Sequence, residues 1–233
     1  MKHIAIFCLL LALATAVQGQ DYTYTTNNGT ITITGYTGRG GEVVVPDTIG
    51  GLPVTSIGNK SFDECTNVTS VTVPNTATNI GGCAFKSCTG LKTLTIPSSV
   101  TDIGAGAFIG CTSLKSVAIG TNVTHIRYCV FTSCSNLKSL TVPNGVTNIE
   151  KNAFSCCFGL ESVTIPNKVT SIGDVAFQAC PSLSEVHFQG HAPSLGSEVF
   201  KGSTNAVIYY LPGTKGWTET FGGRPTKEYS PKE

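Results

Sequence analysis

A phenylalanine returns every 23 residues along this chain, at Phe62, Phe85, Phe108, Phe131, Phe154, Phe177 and Phe200. Five positions ahead of each stands a branched aliphatic: Ile57, Ile80, Ile103, Ile126, Ile149, Ile172 and Leu195. Three positions behind stand Cys65, Cys88, Cys111, Cys134, Cys157 and Cys180, with Ser203 closing the series. Two further columns follow, Val68, Leu91, Leu114, Leu137, Leu160 and Leu183, then Val71, Leu94, Val117, Leu140, Val163 and Val186. A last inward column runs Val73, Ile96, Ile119, Val142, Ile165, Phe188 and Leu211. A unit this short buries its apolar face only against a neighbouring copy, so the chain must stack into a solenoid.

Within a unit, stretches such as Leu94-Thr95-Ile96 alternate in the manner of a strand, and Pro74, Pro97, Pro143, Pro166 and Pro212 end them. Val100 to Ile103 reads as a second short extended piece, and Gly104 to Phe108 as a turn or one-turn helix. The expectation is two narrow parallel sheets along the stack, with coils about 4.8 Å apart and a length of roughly 35 Å.

The unit V-T-x-I-G-x-x-A-F-x-x-C-x-x-L-x-x-V-x-I-P resembles the BspA-like, or Treponema-type, leucine-rich repeat of exported and surface proteins. The resemblance covers about Leu52 to Leu211. It implies a leucine-rich-repeat solenoid, and attachment to host matrix proteins, other cells or surface polymers. No binding residues carry over, because the motif consists of core positions. Arg127 and Glu150 stand where the pattern has Gly, so the backbone there is not expected to demand positive φ in every coil. Gly120 and Gln189 replace the proline.

Residues 1–19 carry a short basic start, the apolar run Ile4 to Ala14, and small residues for cleavage after Ala16 or Gly19. This is the layout of a secretory signal peptide, too short to span a bilayer, and no second run of spanning length occurs. The expected location is secreted, extracellular or at the cell surface, with the periplasm as a variant. Residues 20–51, with the turn signal Asn27-Asn28-Gly29, read as an N-terminal β cap. Residues 52–211 form about seven repeats, and residues 212–233 a C-terminal cap and tail, with Tyr209, Tyr210, Trp217 and Phe221 suited to closing the last coil.

Lys and Arg number 15 against 14 Asp and Glu, and charged residues make up 12% of the chain. That balance excludes a coiled coil, a charged disordered tail and a phosphate-seeking nucleic-acid binder. Nine of the ten cysteines follow the leader. The column thiols admit three readings: buried free thiols, one or two inter-coil disulfides, or metal binding. The first is favoured, because parallel Cβ vectors hold the sulfurs apart and a ladder of ligands does not converge.

No G-x-S-x-G or H-E-x-x-H motif occurs, and the carboxylates do not recur in one column. Neither an enzyme nor a cofactor or metal site is expected, apart from a weak surface site if His187 and His191 meet. One polar stripe does recur: Lys92, Lys115 and Lys138 share a column, able to meet an anionic glycan or acidic protein. Beside it runs an outward strand column of Thr72, Thr95, Ala118, Thr141, Thr164 and His187. A second threonine column is Thr55, Thr78, Thr101, Thr124, Thr147 and Thr170, which raises ice binding as a remote alternative.

These features point to a non-catalytic binding module for a protein or surface polysaccharide. The candidate ligand surface is Lys92, Lys115, Lys138, Thr72, Thr95, Thr141, Thr164 and His187. The rival reading is a structural spacer or self-associating envelope component. Oligomeric state is not legible.

Overall fold

The computed structural model describes residues 21–230. The apolar leader lies outside the described residues. The chain opens with β1 (Tyr22–Asn27) and β2 (Thr30–Tyr36), an antiparallel hairpin, followed by β3 (Gly41–Val44), β4 (Thr48–Ile49) and β5 (Leu52–Ile57). Long and short strands then alternate: β6 (Val68–Thr72) and β7 (Asn79–Ile80), β8 (Thr93–Ile96) and β9 (Asp102–Ile103), β10 (Ser116–Ile119) and β11 (His125–Ile126). The pattern continues with β12 (Ser139–Thr141), β13 (Asn148–Ile149), β14 (Ser162–Ile165), β15 (Ser171–Ile172), β16 (Glu185–Phe188), β17 (Ser194–Leu195) and β18 (Val207–Tyr210). A final pair, β19 (Thr220–Phe221) and β20 (Arg224–Glu228), is antiparallel, with β20 laid parallel on β18.

Long strands pair in register with long strands, as Val163 with Val186, and short with short, as Ile149 with Ile172. The result is a β-solenoid with a broad front sheet and a narrow side sheet. β2 and β3 form an abbreviated first turn, because each pairs in parallel with the first full coil. Every phenylalanine of the 23-residue column is buried. Their rings stack with centroids 4.9–5.6 Å apart and planes within 21°. Offset aromatic pairs at this spacing gain dispersion and quadrupole energy beyond area burial.

The segment around each phenylalanine is a chain of turns, and among the described residues no helix forms. The reason is backbone handedness. Lys60, Cys83, Gly106, Cys129, Asn152, Val175 and Glu198, two positions before each phenylalanine, all have positive φ. So do Glu64, Ser87, Gly110, Ser133, Cys156, Ala179 and Gly202, two positions after. A right-handed helix cannot pass through such residues. The alternation instead aims N–H groups at the next coil: Cys83 to Ala105, Phe85 to Ala107 and Ser87 to Ile109, at 2.8–2.9 Å. This third ladder, on the turn side, is additional to the two expected sheets. It also accounts for Cys83, Cys129 and Cys156, which belong to the positive-φ columns and not to the thiol column.

The glycines that follow the short-strand aliphatics, Gly58, Gly81, Gly104, Gly173 and Gly196, are not among the residues with positive φ. They are small for another reason: a Cβ on Gly81 or Gly173 would lie 2.5 Å from a backbone nitrogen of the preceding coil.

The last coil departs from the sequence expectation. Tyr210, not Leu211, lies opposite Phe188, because the coil is one residue shorter and Ile208 takes the place below Val186. Tyr210 stacks on Trp217 at 5.1 Å, and Trp217 and Phe221 pack against Phe188, closing that end. At the other end Tyr36 stacks on Phe62 at 5.0 Å.

Candidate ligand-binding face

Alternation along each long strand sends one residue in and the next out. Strand register therefore aligns Val44, Thr72, Thr95 and Ala118 in one outward row, and Thr141, Thr164, His187, Tyr209 and Lys227 in another, and the 23-residue period puts the two rows in the same column across the unpaired β10–β12 junction. Thr72, Thr95, Thr141, Thr164 and His187 thus occupy the positions expected of them. Small hydroxyl side chains make most of this row shallow.

Lys92, Lys115 and Lys138 share the neighbouring column, linked through their backbones: Lys115 N–H donates to Lys92 C=O at 2.9 Å and Lys138 N–H to Lys115 C=O at 3.4 Å. All three are exposed. Lys138 is neutralised by Glu161 of the following coil, Nζ to Oε1 2.7 Å. Lys92 and Lys115 form no ion pair among the described residues, so the positive strip is concentrated on those two.

The row ends in an aromatic cluster. The His187 ring stacks on Tyr209 at 4.9 Å and 15°, and Tyr229 meets both rings edge-on at 4.9 and 5.9 Å. Glu185 Oε2 lies 2.9 Å from His187 Nε2. Partial burial pushes the Tyr229 phenol up from its ordinary range. Aromatic faces beside a carboxylate and hydroxyls form an amphipathic platform suited to stacking an apolar ligand face while bonding its polar edge. The sequence reading assigned both Tyr209 and Tyr210 to closing the last coil. Only Tyr210 does so, and Tyr209 faces outward. Its signal was the alternation through Val207-Ile208-Tyr209-Tyr210, with Ile208 fully buried.

His191 does not join His187: its Nδ1 accepts the Lys215 N–H at 2.9 Å. Among the described residues no three His, Cys, Asp or Glu side chains group to hold a metal ion. In the second threonine column the hydroxyls of Thr78, Thr101, Thr147 and Thr170 donate to the backbone carbonyl one coil back at 3.3–3.4 Å, which ties them to the stack.

The thiol column is a hydrogen-bonded ladder of free cysteines. Cys88, Cys111, Cys134, Cys157 and Cys180 each donate S–H to the carbonyl of a phenylalanine in the preceding coil at 2.9–3.2 Å. Ser203 does the same toward Phe177 at 2.6 Å. Burial pushes the Cys111 and Cys180 thiols up to about 12, against a smaller lowering by backbone hydrogen bonds. Thiolate is scarce under these conditions, so the column offers no activated nucleophile.

A parallel β-solenoid whose interior columns are filled and whose front sheet presents a shallow outward row defines the class, a repeat scaffold for binding. The BspA type Leucine rich repeat region matches in six copies, over residues 55–184 and 103–215. The chain belongs to that family. A T. pallidum leucine-rich-repeat protein of known crystal structure is similar at 33% identity, with 81% of this chain and 89% of that one covered and a TM-score of 0.78. The pneumococcal vaccine antigen PcpA, 17% identical with 82% of this chain and 69% of its own covered, shares the fold at a TM-score of 0.52. Among curated proteins none matches the sequence. No helix among the described residues is long and apolar enough to cross a membrane.

Proposed function

We propose that the protein is an exported, non-catalytic binding module that holds a protein or surface polysaccharide against its front sheet. The observation that carries this reading is the outward row itself: threonines at successive coils lead into the His187–Tyr209–Tyr229 cluster, with the Lys92 and Lys115 ammonium groups alongside. A regular shallow strip with an aromatic end fits an extended ligand better than a small molecule, which needs a concave pocket. Family membership supports the same reading. The reading takes residues 1–19 as a cleaved leader, residues 20–51 and 212–233 as end caps, and residues 52–211 as the binding body.

The test is capture on protein and glycan arrays by the chain lacking only residues 1–19. A ligand should be enriched, and its capture should fall at least tenfold in a triple Lys92→Glu, Lys115→Glu, Lys138→Glu variant or in Tyr209→Ala, both with unchanged circular dichroism. An array on which nothing is enriched would turn the reading toward a spacer.

A further inference from the structure

The two ends of the solenoid treat their exposed strand edges differently. At the C-terminal end the outermost strand, β19, has two residues, and its partner β20 carries Arg224, Pro225, Lys227 and Glu228. Short strands, charge and proline are the ordinary devices that stop an edge from pairing with another chain. At the N-terminal end the edge strand β3 is short and carries Glu42, but the other edge strand, β1, has none of them. β1 is six residues long, pairs among the described residues only with β2, and leaves Thr23, Tyr24, Thr25, Thr26 and Asn27 exposed. From Tyr22 to Thr37 the chain contains no Asp, Glu, Lys, Arg or Pro. Two of the exposed large apolar side chains, Tyr24 at 42% and Val44 at 69%, lie on the edge strands of this end.

The hairpin sets which backbone groups face out. Asn28 and Gly29 both have positive φ, at 48° and 76°, the signature of a two-residue type I′ turn. In such a turn the flanking pair, Asn27 and Thr30, exchanges both backbone bonds, and bonded pairs recur at every second residue. Thr25 therefore faces β2, while Tyr24 and Thr26 direct their N–H and C=O groups away from it.

We infer that this edge is a docking site for a second copy of the chain, pairing β1 antiparallel with its own counterpart about a two-fold axis at Thr25. Tyr24 of one copy then lies opposite Thr26 of the other, twice, and these two pairs exchange four backbone hydrogen bonds. The identical-partner solution is favoured because a charge-free edge meets no repulsion from itself, and because the sequence about Thr25 sets an aromatic against a β-branched residue, a favourable cross-strand pair. The two solenoids extend in opposite directions and present two copies of the binding face.

Analytical ultracentrifugation of the chain lacking only residues 1–19 tests this, over a series reaching ~0.5 mM because an edge contact is small and its affinity weak. A reversible dimer is expected, shifting to monomer in Tyr24→Lys and Thr26→Lys, whose inner ladder to β2 is untouched. Thr25→Cys should give a disulfide-linked dimer on mild oxidation that the parent chain does not, since the two residues form a non-hydrogen-bonded pair with close Cβ atoms. A parent chain monomeric throughout the series would overturn the inference, as would a dimer that survives both lysine substitutions.

Discussion

Two junctions between neighbouring coils differ in a way that separates the forces stacking this solenoid. Between the coils of Phe154 and Phe177 everything is engaged. The rings lie 5.1 Å apart at 6°, β14 and β16 share four aligned pairs, β13 and β15 share two, and Gly173 N–H reaches Ile149 C=O at 2.7 Å. Between the coils of Phe108 and Phe131 both sheets are interrupted: neither β9 with β11 nor β10 with β12 is paired. Arg127, in the glycine column, makes no counterpart of the Gly173 bond, and Val117 and Ile119 are only half-buried where Val163 and Ile165 are buried. Yet the rings still stack at 5.4 Å, Cys134 still donates to Phe108 at 3.2 Å, and three turn-side bonds persist at 2.8–3.0 Å. Coils stay together where the sheets let go. The interior columns and the turn-side ladder therefore persist without strand pairing, beside a few loop ties such as Asn136 Nδ2 donating to Thr112 C=O at 2.7 Å, and the sheet bonds tighten the stack elsewhere.

The largest test of that conclusion is Phe131→Ala beside Phe154→Ala. Each removes a fully buried ring and should lower stability by about 3–5 kcal/mol. The consequences should diverge. At Phe131 the column is the main tie across a junction lacking sheet pairs, so calorimetry should resolve two transitions, one for each side. Phe154→Ala should still melt in a single transition. A repeat protein's stability is a sum of unit and nearest-neighbour interface terms, so weakening its weakest interface uncouples the halves. Identical single transitions would mean that the sheet gap carries no energetic meaning.

A middle-sized effect should follow Arg127→Gly. Glu150 carries a Cβ and still donates N–H to Ile126 C=O at 2.8 Å, so a Cβ alone does not bar this bond. What Arg127→Gly removes is the long side chain held on Asp102 across the junction, and the amide at position 127 should then reach Ile103 C=O. One added backbone bond contributes about 1 kcal/mol, so exchange of that amide with deuterium should slow by roughly fivefold. Global stability should change little, because glycine loses about 0.5–1 kcal/mol in backbone entropy. Unchanged exchange would show that Gly120, the other departure in this connection, keeps the coils apart.

How much of this was legible depends on what each position demands. Phe, Ile and Cys columns stood out because a dry, stacked interior requires the same volume at every turn. The thiols read correctly as free, since parallel Cβ vectors do not bring sulfurs together. The positive-φ columns were invisible: Lys60, Cys83, Val175 and Glu198 share a backbone conformation and no side-chain chemistry. Arg127 was conspicuous, but the explanation available from sequence, relaxed φ, was incomplete. What distinguishes that column is the approach of the preceding coil's backbone, a distance that no single coil encodes and that Glu150 accommodates with a Cβ. The threonine row followed from alternation, whereas Tyr209 was misassigned because a one-residue shortening of the last coil shifts the phase between Ala206 and Ile208.

The smallest effect sharpens the comparison from the other direction. Arg127 both occupies the gap and bridges it, with Nε and Nη2 each 2.8 Å from Asp102 Oδ1 across the unpaired junction. Both side chains are a little over two-fifths exposed, so water screens the pair and its contribution should be a few tenths to ~1 kcal/mol. Asp102→Asn should lower the denaturation midpoint by that amount at low salt, and the difference should shrink as salt is raised. The same substitution should accelerate deuterium exchange at Ile103 and Ile126 while leaving Ile149 and Ile172 unaffected, because the latter pair is held by its own sheet. A loss well above 1 kcal/mol would mean that the ion pair substitutes for the missing sheet bonds, and that the interior columns alone do not close this junction.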